Sequence, residues 1–145
     1  MSGSGGMTTP GRWHSRGQLV VYLASVPSLA MLEVLVNQTT ENLYRLDYHL
    51  MRVEWPAQST DVFPLAQLPE DWNSPQRIQE TASIGDHWLR QRAALALAVP
   101  SAVVPVSVET TERNYLINPL HPLWQERTVS QVTRLPFDPR FRTEN

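Results

Sequence analysis

Glu33 is the only charge in the run SLAMLEVLV, residues 28–36. An unpaired buried carboxylate costs several kcal/mol, so a chain keeps one among apolar side chains only with a partner or a purpose. At about 3.6 residues per turn its helical neighbours are Leu29, Ala30, Val36 and Asn37. Three of these are apolar, so the acid leaves an apolar stripe. Either it is held in a cleft to do chemistry, or it shares a thin solvated edge with Asn37. Spacing leaves both readings open.

A second constellation is GRWHSRG, residues 11–17, which sets a guanidinium, a large ring and an imidazole among glycines. Arg12 and backbone amides freed by Gly11 suit a diphosphate, and an aromatic ring such as Trp13 suits a base. His14 adds a titratable nitrogen. The plainer reading is a loop whose tryptophan is anchored in the core. Tyr22 stands in the strand-like QLVVYLA, and Ser101 follows an apolar run in VPSAVVP. Each has a bland fate as well, the tyrosine as core and the serine as a chain-turning residue.

Other chemistries lack their residues. The chain has no cysteine, which removes disulfides, thiolate nucleophiles and cysteine-bound metal. All twelve basic residues are arginine, which removes a lysine Schiff base and a lysine-ended phosphate loop. The four histidines, at 14, 49, 87 and 121, lack zinc-ligand spacing, so no metal is expected. No Gly-x-Ser-x-Gly elbow is present. GSGGMT has no preceding strand and no following helix, so it is not read as a dinucleotide fingerprint. A net charge of −2 argues against direct nucleic-acid binding. No apolar run reaches the roughly 18 residues of a membrane span, and no secretion signal is visible. A cytoplasmic protein is the simplest expectation.

These residues need elements to position them. At 145 residues and 41% apolar content the chain is expected to form one domain with a real core. Residues 18–24 read as a short buried strand, and Ser25 and Pro27 as the start of a helix running to about Asn37. TTEN reads as loop, 46–55 as a half-buried strand, and 56–75 as a proline-rich surface excursion. A second helical region opens at Pro75, breaks at Gly85 and resumes as DHWLRQR. ALALAVP reads as a strand, SAVVPVSV as its extended continuation, NYLINPLHPLW as a proline-punctuated loop or strand end, and TVSQVTRLPF as a final strand. Too few helices are present for a doubly wound sheet, so a mixed α+β fold is expected. Residues 1–10 read as a flexible glycine-rich lead-in, with MSGSGG either native or a cloning linker.

Taken in order, GRWHSRGQLVVYLASVPSLAMLEVLV, IGDHWL, VPSAVVP, NYLINPLHPLW and FDPRF resemble the RES domain, from about Gly11 to Arg140. That family is named for an arginine, a glutamate and a serine, and its members are toxins of bacterial toxin–antitoxin pairs. The resemblance implies a single compact α+β domain similar to ADP-ribosyltransferases, a mixed sheet with flanking helices, and NAD as substrate. It places the family arginine on Arg12, the strand tyrosine on Tyr22, the helix glutamate on Glu33 and the serine on Ser101. Gly11, Trp13 and His14 join them as expected substrate contacts.

Members degrade NAD by hydrolysis or phosphorolysis, or transfer ADP-ribose to a protein acceptor. Their usual partner is a helix-turn-helix antitoxin of the Xre type, which covers the active site. Members typically carry a further arginine-bearing segment ahead of the glycine stretch. Its absence from this sequence raises the alternative of a weakly active, antitoxin-binding remnant. With the resemblance in hand the functional reading of Glu33 leads. A carboxylate can stabilise the cationic sugar carbon left as nicotinamide departs, and a dry wall strengthens its field. On the same reading Arg12 holds the diphosphate, Tyr22 packs on nicotinamide or ribose, and Ser101 orients a sugar hydroxyl.

Overall fold

The chain begins with a packed glycine segment. The computed structural model describes residues 1–104 and 111–141. Gly5–Thr8 form one short helical turn, α1, with Gly6 buried. The Gly17 amide donates to the Gly6 carbonyl at 3.0 Å and the Val20 amide to the Gly3 carbonyl at 3.3 Å. The glycine-rich lead-in therefore lies against the loop that follows it instead of trailing free.

The β-branched run after Gly17 becomes β1 (Val21–Ala24), shorter than expected, and Pro27 opens α2 (Pro27–Asn37) at its first helical position. The serine cap is not used. Val26 is the N-cap, and the Ser25 hydroxyl instead accepts the Arg113 amide at 3.0 Å. Residues expected as loop form α3 (Thr40–Arg45), capped by the Thr39 side chain on the Asn42 amide. Then come β2 (His49–Glu54), β3 (Thr60–Val62), α4 (Ile78–Gln91), β4 (Ala96–Val99), β5 (Asn114–Ile117) and β6 (Thr128–Arg134).

Four strands form one sheet in the order β1-β5-β4-β3, antiparallel except for the β3–β4 pair. The three-residue β3 lies inside the proline-rich excursion, too short to leave a period-2 signal. Strands β2 and β6 pair separately as an antiparallel ribbon, with a register shift at Arg52/Val53. The fold is thus the mixed α+β domain expected.

Two cores flank the larger sheet. Leu97, Val99 and Leu116 pack with Trp13, Val20 and α4's Trp88 and Leu89. Ala96 and Ile117 pack with Leu95 and Trp124, and the ribbon's Val53 lies against them. Strand β4 is buried along its whole length, as its unbroken apolar run requires.

Helix α4 is continuous, correcting the expected break at Gly85. A Cβ at Gly85 would overlap the Trp13 carbonyl oxygen, so the glycine permits close approach of helix and loop. The expected extension after β4 turns at residues 102–104, and the rest of SAVVPVSV, 105–108, lies outside the described residues.

Candidate active site

The edge strand β1 and the rim helix α2 enclose an open cleft of about 1500 Å³. All four β1 residues line it, together with Gly11, Arg12 and Glu33. Part of the β2–β6 ribbon forms the far wall, including Met51 and Gln131. Helix α2 is only shallowly buried. Leu29 alone is fully covered, while Leu32 and Val36 are exposed, so its apolar run borders the cleft.

The Glu33 carboxylate does not share its edge with Asn37, whose amide donates to the Glu33 backbone carbonyl at 2.8 Å. Instead Glu33 Oε1 accepts from Ser101 Oγ at 2.8 Å and from Asn114 Nδ2 at 2.5 Å. Both donors sit at strand ends: Ser101 just past β4, and Asn114 as the first residue of β5. Both donors reach the same oxygen, and among the described residues Oε2 has no hydrogen-bond partner.

Ser101 is 3% exposed, and its oxygen also accepts the Val103 and Val104 amides at 3.0 and 3.3 Å. It lies behind the carboxylate, not at the cleft surface. Asn114, by contrast, lines the cleft. Sequence reading passed over Asn114 because an asparagine opening a strand carries no local sign of a partner 81 residues away.

Arg12 is half-buried, its Nη1 donating to the carbonyls of Trp72 and Ser74 at 3.1 and 3.2 Å. These bonds use one guanidinium nitrogen and, among the described residues, leave the rest of the fork for a ligand. Burial pushes the Arg12 pKa down, and the negative Glu33 partly restores it, so the two charges feel each other across the cleft. Helix α4 holds the Arg12 loop. Thr81 Oγ1 donates to the Arg12 carbonyl at 2.7 Å, and Asp86 Oδ1 accepts the Ser15 amide at 2.9 Å.

Trp13 is 2% exposed and stacks obliquely on Trp72 and Phe63, so its ring is packed in the core, although the residue borders the cleft. The Gly11 amide donates to the His14 carbonyl at 3.0 Å and so is not free for a phosphate. Tyr22 exposes 40% of its surface, yet its hydroxyl is held inside. It meets His14 Nδ1 at 2.7 Å and accepts the Trp13 amide at 3.3 Å. Burial raises the Tyr22 pKa beyond the ordinary phenol range, and the negative Asp86 and Glu33 add to it, so the phenol stays protonated. His14 is buried behind Tyr22.

Of the expected site residues, Gly11, Arg12, Trp13, Tyr22 and Glu33 therefore border one cleft, with the Trp13 ring packed in the core, while His14 and Ser101 stand behind its surface. Among the described residues no three His, Asp or Glu side chains gather as metal ligands. No described helix is long and apolar enough to cross a membrane.

A carboxylate oriented from behind, facing a guanidinium and a neutral phenol in a half-open cleft, can stabilise positive charge on a bound molecule while its anionic part is clamped. This arrangement lies on a chain that belongs to the RES domain family, whose model matches residues 1–138. The chain is 36% identical over 136 residues to a protein named Toxin Res from Photorhabdus laumondii, covering 94% of this chain and 83% of that protein. A Toxin Res from Pseudomonas putida is 39% identical over 145 residues, covering 97% and 92%. A Sphingobium protein named Prs ADP-ribosylating toxin is 34% identical over 144 residues, covering 97% and 86%.

Proposed function

We propose that this chain is the toxin of a toxin–antitoxin pair and that it cleaves the nicotinamide–ribose bond of NAD. The observation that carries this is the Glu33 carboxylate, held on one oxygen by Ser101 and Asn114 in a cleft that also contains Arg12 and Tyr22. In the step, the glycosidic C–N bond breaks and nicotinamide leaves with the electron pair. The sugar carbon becomes cationic, and an acceptor adds there with loss of its proton. Glu33 stabilises the cation and accepts a ribose hydroxyl through Oε2, an electrostatic contribution that needs no proton transfer by the enzyme. Arg12 clamps the diphosphate with its free N–H groups. Tyr22 presents a fixed neutral ring to the nicotinamide ribose. Ser101 acts through Glu33, as its buried hydroxyl is already committed there.

Water, phosphate or a protein side chain can all capture the cation. Hydrolysis or phosphorolysis is the leading reading. Transfer to a protein is the second, favoured by the printed name of the Sphingobium relative. The partner is an Xre-type helix-turn-helix antitoxin in the cytoplasm. Exposed apolar side chains on the cleft rim, Val36 and Met51, offer it a surface to cover.

The test is product analysis after incubating NAD with the protein, with and without phosphate, beside Glu33→Gln. Glutamine keeps an oxygen for both donors and removes only the charge. The wild type should release nicotinamide, and the variant should be slower by about two to three orders of magnitude. Folded wild-type protein that leaves NAD intact, and labels no protein in lysate, overturns the proposal.

A further inference from the structure

His14 touches no cleft surface, yet it is buried to 4% exposure and both ring nitrogens are engaged. Nε2 lies 3.1 Å from the Thr9 carbonyl. A carbonyl only accepts, so the proton is on Nε2, and the neutral ring then offers Nδ1 as an acceptor. Nδ1 lies 2.7 Å from the Tyr22 oxygen, so the phenol donates to it. The phenol oxygen in turn accepts the Trp13 amide, which completes its bonding inside the protein.

Two glycines make room for this pair. A Cβ at Gly6 would stand 2.9 Å from His14 Nε2, and one at Gly11 would stand 2.6 Å from His14 Cε1 and 3.0 Å from the Tyr22 oxygen. The glycine-rich start of the chain is therefore shaped to lie against the imidazole, and its Thr9 carbonyl selects the tautomer.

We propose that His14 is a positioning residue, not a substrate contact. Held by Thr9 on one nitrogen, it fixes the Tyr22 hydroxyl with the other, and so sets the tyrosine ring at the cleft wall. The segment 3–9 is by this route part of the site's support. The kinetic arm of the test rests on the NAD-cleaving reading above; a second arm does not.

The kinetic arm is a double-mutant cycle of His14→Phe and Tyr22→Phe on NAD consumption, with thermal melts to establish folding. Each single variant should lower kcat/KM by about tenfold, the worth of one ordering hydrogen bond. The double variant should lose no more than Tyr22→Phe alone. His14→Asn, whose Oδ1 stands where Nδ1 stood, should recover most of the loss. His14→Gln, which reproduces only the Nε2 position, should not. Losses that multiply in the double variant, or equal activity for Asn and Gln, overturn the proposal. If His14→Phe does not fold, the Asn–Gln comparison decides.

The second arm is the NMR signal of tyrosine labelled at Cζ, with Tyr22 assigned by its absence in Tyr22→Phe. His14→Gln should shift that signal and His14→Asn should leave it near the wild-type position. A signal unmoved in His14→Gln overturns the pairing whatever the activity. A signal shifted in His14→Gln, together with a wild type that does not turn over NAD, upholds the pairing and sinks the NAD reading instead.

Discussion

Two hydrogen bonds on one oxygen make the Glu33 carboxylate asymmetric, and the two donors differ in what else they do. Asn114 lines the cleft and donates to Glu33, whereas Ser101 also gathers the Val103 and Val104 amides. Asn114→Ala should therefore lower kcat by about tenfold with a smaller loss of stability than Ser101→Ala, since it removes one charge-assisted bond and leaves no backbone amide without its acceptor. Ser101→Ala should lower both, costing about 1–3 kcal/mol of stability because two part-buried amides lose their acceptor. Steady-state kinetics beside denaturant unfolding separates the two.

His14 and Tyr22 set the pH limits of the same wall. Burial depresses the His14 pKa, and the Thr9 carbonyl and Asp86 only partly oppose it. Below the ordinary histidine range the unfolded chain takes a proton that folded His14 refuses. The His14 contribution is thus present above that range and is lost as pH falls through the depressed value. Tyr22, raised by burial, acts at the other end. Its contribution is fully present below the ordinary phenol pKa and is lost as pH rises above it, because the unfolded chain gives up its proton first. Melting temperature against pH should fall on both sides, and Tyr22→Phe should flatten the alkaline side.

Among the elements, α4 is the scaffold that the cleft leans on. Its Gly85 meets the Trp13 carbonyl, its Thr81 holds the Arg12 carbonyl, and its Asp86 holds the Ser15 amide. Gly85→Ala should force helix and loop apart and cost about 1–3 kcal/mol, despite alanine's better helix propensity. An exposed mid-helix glycine would show the opposite sign, so urea unfolding of this variant tests the close approach directly. Thr81→Val keeps the volume and removes the bond to Arg12, so it should raise KM for NAD more than it lowers kcat. The same hydroxyl lies 3.1 and 3.2 Å from the Ile78 and Arg77 carbonyls at the start of α4, contacts the substitution also removes, so a thermal melt of Thr81→Val accompanies the kinetics.

Across the whole molecule, stability comes from the two apolar layers, not from surface charge. The ion pairs among the described residues, such as Arg134–Asp47 and Arg140–Asp138, hold side chains that are largely exposed. Pairs of this kind contribute about 0–1 kcal/mol and are screened by salt. The melting temperature should therefore change little between low salt and about 0.5 M sodium chloride. A steep loss would mean that charge carries more of the fold than the geometry allows. The cleft lies at the edge of the larger sheet, where β1 meets no further strand among the described residues. An open edge beside a functional cleft leaves main-chain groups available, which a sheet interior would not.

What the sequence determined by itself is local. The apolar run around Glu33 and Pro27 defines α2, the unbroken apolar stretch before Pro100 defines β4, and the ordered motifs that resemble the RES domain, not the residue types alone, grouped Arg12, Tyr22 and Glu33 at one site. Periodicity, proline and buried charge act over a few residues, so they can be read in one dimension. Tertiary structure alone decided the rest. It placed Asn114 on Glu33, put Ser101 behind the carboxylate, sent the Trp13 ring into the core, bound His14 to Thr9 and Tyr22, and kept α4 whole through Gly85. Each of these depends on which distant backbone arrives next to a given atom. That is set by how the two cores close around the sheet, and no stretch of neighbouring residues records it.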